Sequence, residues 1–341
     1  MRPILLRALR MRRAPALLSG LTRNRATVFM LHRFADPDRG VRGHSSAALR
    51  RTLAHLRRER FSFQPLAWVV GRLAAGQELP PRTLVFTLDD GYADQHDVAL
   101  PILAEFDCPA TVFVTTGFLD GHLWFWWDRI EYVIEHTRVD RLRVALDDDR
   151  LLYGMATRQE RRHARDDYVA RCKQLAAGRL AEAVAAFAAA AEVDLPVRAP
   201  ARYAPMTWRQ LRQAERAGMT FGPHTVTHPI LARAGDAQAT AEIVDSWRRL
   251  REAAMAPVPV FCYPNGQPVD YGRREAEALE RAGLIAAVAG RPGYLDAPSL
   301  GGTRSGIAGR FELPRFTWRD DVGEVLRYAT GAERLRALVP A

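Results

Sequence analysis

Thr83-Leu84-Val85-Phe86-Thr87-Leu88 is an apolar run, rich in β-branched and aromatic residues, that stops on Asp89-Asp90-Gly91-Tyr92. A short run without alternation reads as a strand buried on both faces, as in parallel sheets. Ala26–Leu31 (ATVFML) upstream and Ala110–Thr115 (ATVFVT) downstream have the same character. Helical spacing fills the gaps, over Ser46–Arg60 and over Asp94–Phe106, the latter kinked or restarted at Pro101. The alternation resumes later in the chain. A helix over Thr207–Ala217 precedes a strand at Met219–Phe221, then helix Ala237–Ala254, strand Val258–Cys262, helix Arg273–Ala282 and strand Leu284–Val288. A short strand at Leu313–Phe316 and a helix over Val322–Thr330 close the series. Strands alternating with helices predict an α/β fold, here a distorted (β/α)7-like barrel.

Between Gly121 and Ala201 the rhythm breaks. Residues 122–200 open with Trp124-Phe125-Trp126-Trp127, run on as charged, alanine-rich sequence and end in Leu195-Pro196-Val197-Arg198-Ala199-Pro200. They are read as an inserted, mostly helical cap. The expected organisation is a basic segment at 1–25, a barrel formed by 26–121 with 201–341, and the cap at 122–200. The Trp124–Trp127 cluster reads either as a hinge packing the cap or as a sugar-stacking surface, and Asp128 as a cap of the next helix.

With 341 residues, 48% hydrophobic and 26% charged, the chain has the composition of a globular protein with a sizeable core. Disorder and fibrous repeats are excluded, and no run approaches the ~20 apolar residues of a membrane-spanning helix. The net charge is +10. Lys173 is the only lysine among 49 basic residues, so the arginine excess is read as compositional bias and no nucleic acid is expected as partner. Residues 1–25 hold seven arginines and no acid, a pattern that suits peripheral contact with an anionic membrane. Ala14–Leu21 makes a poor signal sequence, which favours a cytoplasmic or peripheral inner-membrane location. Cys108, Cys172 and Cys262 lie far apart without CxxC spacing, so any metal must be held by histidine and carboxylate.

In a barrel, reactive groups gather just after the strands. Four segments stand there: His32; Asp89-Asp90-Gly91-Tyr92; His224-Thr225-Val226-Thr227-His228; and Tyr263-Pro264-Asn265-Gly266. Asp-Asp-Gly alone also reads as a turn, and two histidines separated by three residues as ordinary loop residues. Together they offer one carboxylate and two imidazoles to a single ion, with a second carboxylate beside them.

LVFTLDDGY, PATVFV, HTVTHP and FCYPNG, in this order, resemble the polysaccharide deacetylases of carbohydrate esterase family 4, which carry the NodB-type deacetylase domain. The resemblance covers roughly residues 26–120 and 203–318. It implies that Asp90, His224 and His228 ligate a divalent metal, usually zinc, with cobalt or nickel compatible with the same donors. It further implies that Asp89 is the catalytic base and that Asn265 lends a backbone N–H to the oxyanion. The implied reaction is metal-dependent removal of N-acetyl groups from an amino-sugar polysaccharide or its glycolipid precursor. Two departures stand out. No histidine follows His228, so His32, which resembles the early histidine of deacetylases acting on biofilm poly-N-acetylglucosamine, is assigned as general acid. Its competing reading is a hydrogen bond to a loop carbonyl. Cys262 stands where many members have the arginine that orients the base, and Arg315 is the candidate to supply that guanidinium from another strand. These departures keep open a non-catalytic carbohydrate-binding barrel, and the same site could serve an O-deacetylase.

Overall fold

A computed structural model describes residues 18–304 and 306–336. Most of the predicted basic segment, residues 1–17, lies outside the described residues; what is described of it includes a 3-10 turn at Ser19–Thr22. No helix among the described residues is long and apolar enough to cross a membrane.

The strand Thr83–Asp90 is buried at every position, as its unbroken apolar run requires. Ala26–Leu31 lies parallel to it on one side, pairing Ala26 with Thr83 through Leu31 with Leu88. Ala110–Val114 lies parallel on the other side, and Thr220–Pro223 follows in turn. Phe316–Thr317 pairs with Phe29 and Met30 at the far edge. Val260–Cys262 pairs with Ala286–Val288 as a separate parallel ladder. The expected α/β class with parallel strands is present.

Closure into a barrel is not established by the ladders. Thr220–Pro223 meets the next strand through one bond, Val258 N–H to Phe221 O at 2.8 Å, and Val288 reaches the segment before Phe316 by an isolated bridge to Leu313. Pro223 and Pro259 lack the N–H a ladder needs, which shortens the strands on both sides of the first joint. The backbones still approach closely: a Cβ on Gly222 would fall 2.5 Å from Val260 O.

Side chains two apart on a strand share a face. Val28, Val85, Phe113, Val260, Cys262, Val288 and Leu313 form one buried cluster with the helix Leu66–Ala74. Phe29, Leu84, Phe86, Leu88, Val112 and Phe221 belong to a larger cluster under the surrounding helices. Thr87 and Asp89 continue the Val85 parity, so the small cluster ends upward in a carboxylate.

Residues 122–200 are mostly helical but also contain strands. Besides the helices Trp126–His136, Arg158–Cys172 and Leu180–Ala190, they hold an antiparallel hairpin of Arg141–Leu146 and Asp149–Gly154. Arg141–Leu146 alternates exposed and buried positions, the mark of a half-buried strand. Hairpin and helices bury a hydrophobic cluster of their own around Ile130, Leu142, Tyr168 and Phe187.

Candidate active site

Asp89 and Asp90 end one strand and must diverge. Asp90 has φ +87° and Gly91 φ +89°, so the chain turns sharply at this point. A Cβ on Gly91 would sit 2.8 Å from Leu119 Cδ1, which explains the glycine. Thr225, His228 and Asn265 also have positive φ, near +60° to +64°. Each non-glycine residue held this way costs on the order of 1–3 kcal/mol, and such strain gathers where surrounding structure dictates function.

The Asp89 carboxylate is gripped by Arg315. Nη1 donates to Oδ1 at 2.7 Å and Nη2 to Oδ2 at 2.8 Å. Arg315 also donates to Thr87 Oγ1, Ala289 O and Cys262 Sγ, and both charged groups are buried. Burial alone would raise the Asp89 pKa, but the guanidinium outweighs it and holds the carboxyl well below the usual range. Burial pushes the Cys262 thiol up, so this cysteine is an uncharged core residue.

Asp90 faces the two imidazoles. His224 Nε2 and His228 Nε2 each lie 3.5 Å from Asp90 Oδ1. His224 uses Nδ1 on the Cys262 carbonyl at 2.7 Å, which leaves Nε2 for the site. His228 packs edge-on against Trp127 and Phe125. The imidazoles are 4.7 Å apart and cannot both carry charge in a buried place. Burial would lower His224, but contacts with Cys262 and Asp90 raise it well above the ordinary value. Burial and the His224 charge push His228 down to about 3.

The ligand atoms of Asp90, His224 and His228 all lie within 4.8 Å of one another. Two nitrogen or oxygen ligands on one tetrahedral zinc stand roughly 3.3 Å apart, so this donor set fits such an ion. Asp89, His224 and Cys262 also come within reach of one another. That set is unsuited, because Arg315 occupies both Asp89 oxygens and the thiol keeps its proton.

His32 lines the same cleft, with Nε2 3.8 Å from Asp89 Oδ2 and its side chain 44% exposed. Its ring makes no hydrogen bond among the described residues, so the loop-carbonyl reading finds no partner. Asn265 lines the cleft too, and its backbone N–H has no acceptor among the described residues. Six of the seven candidate residues therefore line one cleft of about 580 Å³, and the seventh, Arg315, is buried and reaches it through Asp89.

Several residues at the site escaped the sequence reading. Glu242, on the helix Asp236–Ala253, accepts the N–H groups of Val226 and Thr227 at 2.7 and 2.9 Å and shapes the histidine loop. Nothing in its helical context marks it. Asp128 is not a cap: it lies inside the helix Trp126–His136, buried, and accepts the Tyr92 hydroxyl at 2.7 Å. Trp124 and Phe125 pack into the core, whereas Trp126 and Trp127 line the cleft.

An α/β fold that brings paired carboxylates and a carboxylate–imidazole cluster to its strand ends has the donor set that a hydrolytic site requires. The sequence model of the polysaccharide deacetylases matches residues 76–144 and 182–286, just over half of the chain, and the chain belongs to that family. No curated protein matches it by sequence. Among solved structures it is similar to the Streptococcus pyogenes deacetylase PplD in complex with acetate, at 17% identity and TM-score 0.56 over 94% of this chain and 100% of that one. It is similar to IcaB from Ammonifex degensii at 16% and 0.55, over 90% and 97%. A de-N-acetylase from Aggregatibacter actinomycetemcomitans follows at 13% and 0.51, over 87% and 96%. At these identities the likeness concerns the fold.

Proposed function

We propose that the chain is a divalent-metal-dependent N-deacetylase acting on an amino-sugar polysaccharide or its precursor. The observation that carries this reading is the convergence of Asp90, His224 and His228 beside an Asp89 that Arg315 holds ionised. The de-N-acetylase among the fold relatives supports the choice of an amide over an ester. A zinc ion held by Asp90, His224 and His228, or cobalt or nickel in its place, supplies Lewis acidity when bound.

Asp89 accepts the proton of the attacking water at its carboxylate. Arg315 fixes the direction of that carboxylate, at the expense of basicity. Asn265 presents its unpaired N–H to the acetyl oxygen as negative charge develops there. His32, open to the cleft, delivers a proton to the departing nitrogen. Water adds to the acetyl carbon, the C–N bond breaks, and acetate and a free amine leave.

The test is acetate release from N-acetylglucosamine oligomers. A chelator should abolish it and added zinc restore it, while Asp89→Asn should lower kcat by roughly 10²–10⁴. Full activity in Asp90→Ala or His224→Ala would refute the metal reading. Faster turnover of O-acetylated than N-acetylated oligomers would move the assignment to an esterase.

A further inference from the structure

The family match leaves residues 145–181 uncovered, yet this segment builds part of the cleft. Its helix Arg158–Cys172 buries Ala164, Tyr168 and Cys172 against the insertion's own core. One position further round, Arg165, Val169 and Lys173 line the cleft. Arg165 is paired with Asp166, whereas Lys173 has no ion-pair partner among the described residues. Instead Lys173 Nζ donates to Asn265 Oδ1 at 2.9 Å, across 92 positions of chain. The other end of that amide, Nδ2, donates to Asp270 Oδ2 at 2.6 Å, and Asp270 also accepts the Gln267 N–H at 2.7 Å. The next residue, Gln174, accepts from Arg233 Nη2 at 2.7 Å, close after the His228 loop. The end of this helix thus bridges the loops that carry Asn265 and His228.

We infer that Lys173 is a positioning residue of the site, holding the Asn265 amide so that the residue keeps its left-handed backbone and its N–H stays free for substrate. The inserted segment is then part of the catalytic apparatus as well as a wall of the cleft. This rests on the assignment of Asn265 made above. Lys173 acts through Asn265 and needs no contact with the reacting atoms.

The experiment is a double-mutant cycle with Asn265→Gly as the second site, since glycine takes positive φ freely, keeps the N–H and removes the amide that Lys173 holds. Lys173→Ala should lower kcat about tenfold with KM within about twofold, and Lys173→Arg should recover most of the loss. In the Asn265→Gly background Lys173→Ala should change kcat by less than about twofold. Hydrogen exchange gives a readout independent of turnover: Lys173→Ala should speed exchange in the peptide spanning 263–270, and Lys173→Arg should not. An equal kcat loss in both backgrounds, a rise in KM alone, or unchanged exchange would overturn the inference. Faster loop exchange in a protein whose acetate release ignores Asp89→Asn and His224→Ala would support the coupling and place the fault in the assigned activity.

Discussion

The sheet and the inserted segment form facing walls of the cleft, and each buries a carboxyl group under opposite terms. Asp89, on the sheet side, meets a guanidinium in a bidentate pair. Asp128, on the insertion side, meets a phenol, while Arg33, whose charge acts on it, is engaged by Asp94 at 2.9 Å and lies over the Tyr92 ring. Full positive charge overcomes burial and keeps Asp89 ionised. A neutral donor does not, and burial pushes Asp128 up to about 7. Two buried acids in one cleft therefore differ because one has a guanidinium as its partner and the other a neutral phenol.

Arg315→Met is the severest way to break this contrast. It strands Asp89 in a buried place, and removal of one partner from such a pair costs about 3–5 kcal/mol. The pH dependence distinguishes this from a packing defect. With Arg315 present, the folded pKa lies below the ordinary value of about 4, so the pair's stability is complete above about pH 4 and is lost as pH falls through the folded value. Without the guanidinium the folded pKa rises above the ordinary value, and stability falls with increasing pH instead. Urea midpoints at pH 3.5, 5 and 7 check the reversal: the penalty should be greatest at pH 7. A penalty independent of pH would mean that Asp89 is not held by charge.

The two walls also differed in how much the sequence disclosed. On the sheet side, the apolar runs before Asp89 and Asn265 located the strands, and the ordered motifs named Asp89, Asp90, His224, His228 and Asn265. Arg315 became visible only because Cys262 left a vacancy that some guanidinium had to fill. Strand ends were less legible, since Pro259 moved the start of Val260–Cys262 inward from the expected Val258. On the insertion side no motif guided the reading. The alternation of Arg141–Leu146 is short and lies inside charged sequence, and Asp147, at φ +51°, makes the turn. Asp128 and Lys173 owe their places to tertiary contacts with Tyr92 and Asn265, 36 and 92 positions away, which local pattern cannot register.

Asp128→Asn probes the other wall with a smaller effect. The folded value of about 7 exceeds the ordinary value of about 4, so between them the folded state keeps a proton that the unfolded chain releases. Stability from this residue is therefore present at pH 5 and declines towards pH 8. The asparagine variant, which cannot ionise, should remove roughly 1–3 kcal/mol of that decline, read from denaturant midpoints at the two pH values. An unchanged slope would show that Asp128 is ionised throughout and that the walls are electrostatically alike.

The aromatic pair on the insertion wall separates binding from catalysis at the scale of a single contact. Trp127 stacks on Phe125 at 4.5 Å, packs against His228 at 4.7 Å and donates Nε1–H to Tyr92 Oη at 3.2 Å. Trp126 touches Trp127 edge-on and lines the cleft. A pyranose packed on the Trp126 indole would gain about 0.5–1.5 kcal/mol, so Trp126→Ala should raise KM for an oligomer roughly two- to tenfold and leave kcat near its starting value. Trp127→Ala removes a support of His228 and should lower kcat as well. Steady-state kinetics on N-acetylglucosamine oligomers of increasing length decide the matter. If Trp126→Ala leaves KM unchanged at every length, the insertion contributes position and charge to the cleft but no surface for the sugar.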